Sequence, residues 1–225
     1  MKIIINERQE RLLHALFLKE AALPEFSLEE LSSIKSFANK VKYCKQYLGM
    51  SIGSGSSRTV FQIDDEKVLK LAKNAKGIAQ NEYEYDNYYA CNDDVLPRCF
   101  ECADDYSWII SEYVLPATKN DFKVVFGMTW DEFCGWLNRT KLQYVHSSYR
   151  RYMWNVMDED KWLDIIENNE NIQPLYDWLT NYQHDMGDLH RIANWGLTIR
   201  DGEPTLVILD NGLSEEIFNQ YYKRW

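Results

Sequence analysis

Gly187-Asp188-Leu189-His190-Arg191-Ile192-Ala193-Asn194 and, further on, Asp210-Asn211-Gly212 bound the stretch that decides how this chain folds. Between them, Gly196-Leu197-Thr198-Ile199 reads as a strand and Arg200-Asp201-Gly202-Glu203-Pro204 as a turn. Thr205 to Leu209 follows as a β-branched, apolar strand. A hairpin therefore separates Asn194 from Asp210 and returns them to the same end of a sheet. Asp-Asn-Gly alone is ordinary turn chemistry. The order of the pieces gives it weight, because two carboxylates and an amide converge on one edge.

Such a set suits transfer of a phosphoryl group, which needs a carboxylate near the acceptor hydroxyl and oxygen ligands holding Mg²⁺ against a triphosphate. Asp188 is expected to be the base, with Asn194 and Asp210 as the metal ligands. Upstream, Ile52-Gly53-Ser54-Gly55-Ser56-Ser57-Arg58-Thr59-Val60-Phe61-Gln62-Ile63 and Lys67-Val68-Leu69-Lys70-Leu71 predict a β-hairpin turning at Asp64-Asp65-Glu66. Gly53 and Gly55 allow a close backbone approach to a phosphate chain. Lys70 lies among apolar neighbours and needs either solvent or an anion, since burying it unpaired is costly. The next segment, Gly77 to Ala90, reads as a helix with two acids in reach, Glu82 and Glu84. Two positions on a helix span about 200°, so only one can face Lys70, and periodicity leaves the choice open.

Helices are expected from Asn6 to Ala22, from the capping-box sequence Ser27-Leu28-Glu29-Glu30 to Gly49, and throughout Thr129 to Asp185. Arg98 to Ala103 and Tyr106 to Val114 read as two strands, after which Leu115-Pro116 ends the sheet. The chain of 225 residues is long enough for one large domain or two small lobes, and its formal net charge of -10 argues against a nucleic-acid or anionic-membrane partner. No apolar run reaches membrane-spanning length, and Met1-Lys2-Ile3-Ile4-Ile5-Asn6 is too short and too soon charged for a signal peptide, so a cytoplasmic protein is expected. Five cysteines at irregular spacing suit a reducing compartment. Cys99 and Cys102, three apart on a strand, are expected on opposite faces and make a poor metal pair.

Taken in order, these motifs resemble the protein-kinase-like fold of protein kinases and aminoglycoside-type phosphotransferases, with the compact look of kinase-like proteins from phages. Gly53-x-Gly55-x-x-Arg58-x-Val60 is similar to the glycine-rich loop, with Arg58 where a third glycine usually stands. Val68-Leu69-Lys70 resembles the lysine strand, Glu84 (or Glu82) the helix glutamate, and Ser111-Glu112-Tyr113-Val114 the adenine-binding hinge. Gly187-Asp188-Leu189-His190 resembles the catalytic loop and Asp210-Asn211-Gly212 the metal-binding motif. Asp188 to Asn194 is one residue longer than the family's usual spacing, and thirteen residues follow Gly212.

The resemblance implies a bilobal α+β fold. Its parts would be a helical extension over residues 1–48, a small antiparallel-sheet N-lobe over 49–115 with one helix, and a truncated, mainly helical C-lobe over 116–225. It implies ATP and Mg²⁺ as cofactors, with Gly53, Ser54, Gly55, Ser56, Val60, Lys70, Glu112 and Val114 around the nucleotide. A kinase acting on a protein hydroxyl or a small molecule follows, in a host cytoplasm if the protein is phage-encoded. The alternatives are an inactive nucleotide-binding or interaction module, docking a protein partner through its N-terminal helices, and nucleotidyl transfer.

Overall fold

The computed structural model describes residues 25–90, 95–144, 155–181, 188–212 and 214–222. The chain divides into two units, Met1–Ile52 and Gly53–Trp225. The helix expected from Asn6 to Ala22 lies outside the described residues.

In the first unit the single helix expected from Ser27 to Gly49 is two, Leu28–Ser33 (α1) and Phe37–Leu48 (α2). The apolar periodicity runs through both, but serines interrupt the backbone. Ser33 Oγ bonds back to Glu30 O at 2.7 Å, Ile34 turns extended at φ -76° and ψ 119°, and Ser36 opens α2. Ser27 caps α1 by accepting from Glu30 N–H at 3.2 Å, and Gly49 ends α2 at φ +83°. The Tyr43 hydroxyl accepts from Ser27 N–H at 3.0 Å and lies 3.2 Å from Glu30 Oε2, tying the helices together.

The second unit opens with Gly53–Ser54 (β1), Arg58–Gln62 (β2) and Lys67–Ala72 (β3), then the helix Ala75–Ala90 (α3), then Cys99–Cys102 (β4) and Trp108–Glu112 (β5). The strands form one antiparallel sheet in the order β1-β2-β3-β5-β4. This is the small sheet with one inserted helix that the sequence predicts. Opposed residues share a face, so the register Arg58↔Ala72, Val60↔Lys70 and Lys70↔Ile109 puts Arg58, Val60 and Lys70 together. The other face carries Phe61, Leu69 and Leu71, all fully buried. A bulge between Cys99 and Glu101 changes one expectation: Cys99 pairs with Ser111 and Cys102 with Ile109, so both thiols lie on one face.

Leu115–Pro116 (β6) ends that sheet, as expected, and pairs elsewhere. It is the edge of a second sheet, β6-β7-β8, completed by Trp195–Arg200 (β7) and Glu203–Ile208 (β8). Helices fill the interval: Lys119–Phe126 (α4), Trp130–Tyr144 (α5), Glu159–Asn168 (α6) and Gln173–Asn181 (α7). The capping box foreseen at Thr129 is formed with Glu132. α4 was not foreseen, although Thr118 and Asp121 make another capping box and Phe122, Val125 and Phe126 lie at helical spacing. The short helix Glu215–Tyr221 (α8) packs on α3. Among the described residues no helix is long and apolar enough to cross a membrane.

The core of this helical part is aromatic. The Phe122 ring lies 4.6 Å from Trp130, 4.8 Å from Phe133 and 5.4 Å from Trp195, centroid to centroid, and Phe133 lies 5.2 Å from Trp195. Phe122, Phe133 and Trp195 have no exposed surface. Phe133→Ala should therefore lower the unfolding free energy by about 3–5 kcal/mol in a urea titration. A loss under about 1 kcal/mol would mean that this cluster is not the core.

Candidate active site

Lys70 is buried in the middle of β3 and points toward α3, where Glu84 receives its Nζ in an ion pair. The phase of α3 is set by contacts near its start. Asn74 Oδ1 accepts from Gly77 N–H at 3.1 Å, capping the helix. A Cβ on Gly77 would lie 2.2 Å from Ser57 O, so only glycine lets α3 come this close to the β1–β2 tip. One turn on, Asn81 Nδ2 donates to Tyr106 O at 2.9 Å and to Lys70 O at 3.4 Å. With Asn81 inward, Glu84 three residues on is inward too, and Glu82 faces solvent. Of the two acids left open by the sequence, Glu84 meets Lys70; Glu82 is corrected to a surface residue.

A second cation joins them. Arg58 Nη1 lies 2.5 Å from Glu84 Oε2, and its Nη2 lies 2.6 Å from Asp210 Oδ1. Two cations and two carboxylates thus form one buried cluster. Asp210 is its open edge, with 49% of its side chain exposed against 9% for each cation and 1% for Glu84. Burial pushes the Glu84 carboxyl up, but the Lys70 and Arg58 charges and their hydrogen bonds outweigh it and hold Glu84 below the ordinary carboxylate range. For Arg58, burial lowers the pKa, while Glu84 and Asp210 more than restore it.

The opposite wall is the β7–β8 hairpin. Asp201 and Gly202, both at positive φ, make its turn, and Trp195 pairs with Ile208 at its base. Leu209 N–H donates to Asn194 O at 2.8 Å, so the residues on either side of the hairpin meet as the spacing requires. Lys70 Nζ also donates to Leu209 O at 3.1 Å, which brings the lysine beside Asp210. Asp188–His190 and Ile192–Asn194 are two 3-10 turns joined by the extended Arg191, and this is how the longer spacing is built. The Trp195 indole N–H donates to Leu189 O at 2.9 Å, and His190 Nε2 lies 3.0 Å from Asn138 Oδ1 on α5. The loop carrying Asp188 is thereby tied to the aromatic core. Gly212 lies against α3, where a Cβ would stand 2.8 Å from Gln80 O.

The other expected site residues are less uniformly placed. Val60 lies directly across from Lys70. Gly53-Ser54-Gly55-Ser56 forms a tight tip closed by Gly55 N–H to Arg58 O at 3.0 Å. Lys73 binds Ser54 Oγ and Gly55 O, both at 2.6 Å, and Lys76 binds Ser56 Oγ at 3.0 Å. Glu112 is paired across from Lys67, which puts its side chain on the sheet face away from Lys70. There it binds Arg200 at 2.5 Å and accepts from Thr198 Oγ1 at 2.8 Å, leaving only its backbone for a cofactor on the Lys70 side. Val114 is buried against Gly196.

Sequence reading placed Arg58 in a glycine loop; it is a strand residue reaching the centre of the site. Its even spacing to Val60, on a strand paired with that of Lys70, was the available signal. The donors suit a polyphosphate, with an ammonium and a guanidinium at the foot of the glycine hairpin. The oxygen donors of Asn194 and Asp210 are the right chemistry for Mg²⁺, but as arranged here Arg58 holds Asp210 Oδ1 and the set does not fit a divalent ion.

No protein-family model and no curated protein matches the sequence. Solved structures of aminoglycoside phosphotransferases do. The streptomycin and ATP ternary complex of APH(2")-IIa is similar over 80% of this chain and 71% of its own, at 13% identity and a TM-score of 0.36. The GDP and kanamycin complex of APH(2")-IIia is similar over 73% and 67%, at 15% identity and 0.37. Superposition this loose leaves the function of the protein to stand on its own side chains.

Breaking a buried pair strands a charge, so Glu84→Gln should lower stability at neutral pH by about 3–5 kcal/mol, whereas Glu82→Gln should stay within about 0.5 kcal/mol. Because the folded Glu84 carboxyl titrates below its ordinary 4.5, its contribution is complete above that pH and is lost as pH falls through the depressed value. Urea titrations between pH 7 and pH 3 should show a steeper acid loss in the wild type than in Glu84→Gln. Equal slopes would place the ion pair outside the folded state.

Proposed function

We propose that this chain is an ATP-dependent phosphotransferase, moving a phosphoryl group to a hydroxyl of a protein or a small molecule. One observation carries the reading: the buried Lys70–Glu84 pair, whose lysine also binds Leu209 O one residue from Asp210. A lysine held by a glutamate at the foot of a glycine hairpin, beside a carboxylate at the end of a second hairpin, is the layout that phosphoryl transfer uses to position a triphosphate. In this reading Lys70 binds phosphate, Glu84 orients Lys70, and Val60 with the backbone of Glu112 and Val114 borders the base. Asp188 accepts the proton of the acceptor hydroxyl. Asn194 and Asp210 carry the oxygen donors that Mg²⁺ would need, but with Arg58 on Asp210 Oδ1 they do not hold it in this arrangement.

One observation favours a second reading, an inactive nucleotide-binding or docking module: Arg58 occupies Asp210. In that case the N-terminal helices would be the face for a protein partner. Incubation with γ-labelled and, separately, α-labelled ATP distinguishes the readings. Label from γ alone supports phosphotransfer, label from α indicates nucleotidyl transfer, and binding without label leaves the module.

Under the phosphotransferase reading, Lys70→Met should abolish nucleotide binding by calorimetry. Asp188→Asn should leave that affinity within about threefold while turnover falls by about a hundredfold or more, the range for losing a positioned base. An Asp188→Asn protein with wild-type turnover would remove Asp188 from the chemistry.

A further inference from the structure

Arg58 belongs to none of the roles just assigned, yet it is nine-tenths buried at the centre of them. Its carrier, β2, is fixed by pairing to β1 on one side and β3 on the other, so the guanidinium is delivered to one place. Nη1 lies 2.5 Å from Glu84 Oε2 and 3.4 Å from Asn81 Oδ1, and Nη2 lies 2.6 Å from Asp210 Oδ1. Glu84 already has Lys70 as a counter-ion. What Arg58 adds is the bond to Asp210, the carboxylate of the cluster that is open to water on one side.

We propose that Arg58 and a divalent cation compete for Asp210. A guanidinium bonded to a carboxylate oxygen satisfies it with a permanent positive charge. A divalent ion approaching the exposed side of Asp210 meets that charge within a few ångströms and is repelled by it. The ion takes Asp210 fully only when the guanidinium draws back onto Glu84 and Asn81, which remain within its reach. The protein therefore has two states. In one, Arg58 spans Glu84 and Asp210 and metal affinity is low; in the other, Arg58 is confined to the α3 side and Asp210 is open to metal. The phosphotransferase reading makes this a control point for catalysis, and the inference rests on it to that extent, but the competition itself needs no nucleotide.

The test uses Mn²⁺ alone as the probe, its binding to the full chain followed by water-proton relaxation. Wild type, Arg58→Gln, Arg58→Lys, Asp210→Asn and the double variant Arg58→Gln/Asp210→Asn are compared, each first shown to be folded by its melting curve. Arg58→Gln keeps the hydrogen-bonding end without the charge, and should bind Mn²⁺ at least tenfold more tightly than wild type. Asp210→Asn should remove that gain in the double variant. If Arg58→Gln does not fold, Arg58→Lys serves: a single ammonium lacks the fork that binds Glu84 through Nη1 and Asp210 through Nη2, and its Mn²⁺ affinity should also rise. Affinities within twofold of wild type in a folded Arg58 variant would overturn the proposal. So would a gain that survives Asp210→Asn, or no Mn²⁺ binding by any variant. Tighter Mn²⁺ binding with no label transferred from ATP would leave the competition standing and sink the phosphotransferase reading instead.

Discussion

Glu84 is a carboxylate with almost no exposed surface, and moving such a charge out of water costs several kcal/mol unless its partners are in place. Two elements provide those partners and a third shares them. β3 presents Lys70, β2 presents Arg58, and the end of β8 presents both the Leu209 carbonyl that shares Lys70 and the Asp210 carboxylate that shares Arg58. Each element must hold its position for the charges to balance. The close approach of Gly77 to Ser57 and of Gly212 to Gln80 is therefore part of the electrostatics as much as of the packing.

The two walls of the site are built by different means. On one side a five-stranded sheet and one helix converge through ion pairs and amide bonds. On the other, loops that would be mobile by composition are anchored to an aromatic core, with the Trp195 indole holding Leu189 and Asn138 meeting His190. Such a division suits the group transfer proposed above. Rigid supports fix where Glu84 stands, while Asp210 at the boundary remains half exposed.

The chemistry of the site rests on this chain's own charges, and in them it departs from the motif pattern it resembles. Arg58 is the main departure. The resemblance seated it in a flexible loop where a glycine would stand, and strand pairing seats it in a ladder with its side chain turned inward. A position that would have been backbone cradle becomes a fixed cation, which is why the same motif set supports both an active and a silent reading.

Local rules sufficed for much of the architecture. The β7–β8 hairpin follows from an Asp-Gly turn between β-branched runs, and its length alone returns Asn194 to Leu209. The Thr129 capping box, the helix carrying Glu84 and the small antiparallel sheet follow likewise, because turn chemistry and periodicity act over a few residues. The rest was decided in three dimensions. Glu84 over Glu82 depended on the rotation of α3, set by Lys70 on β3 and by Ser57 and Tyr106 in the turns before β2 and β5. The bulge that puts Cys99 and Cys102 on one face, and the pairing of Leu115 with Leu197, depend on register with remote partners. Arg58 was legible as a charge, but only the sheet that places it beside Lys70 and the hairpin that brings Asp210 across could show which carboxylates it binds. Periodicity tells which way a side chain faces along its own element; what it meets is fixed by chain that lies many residues away.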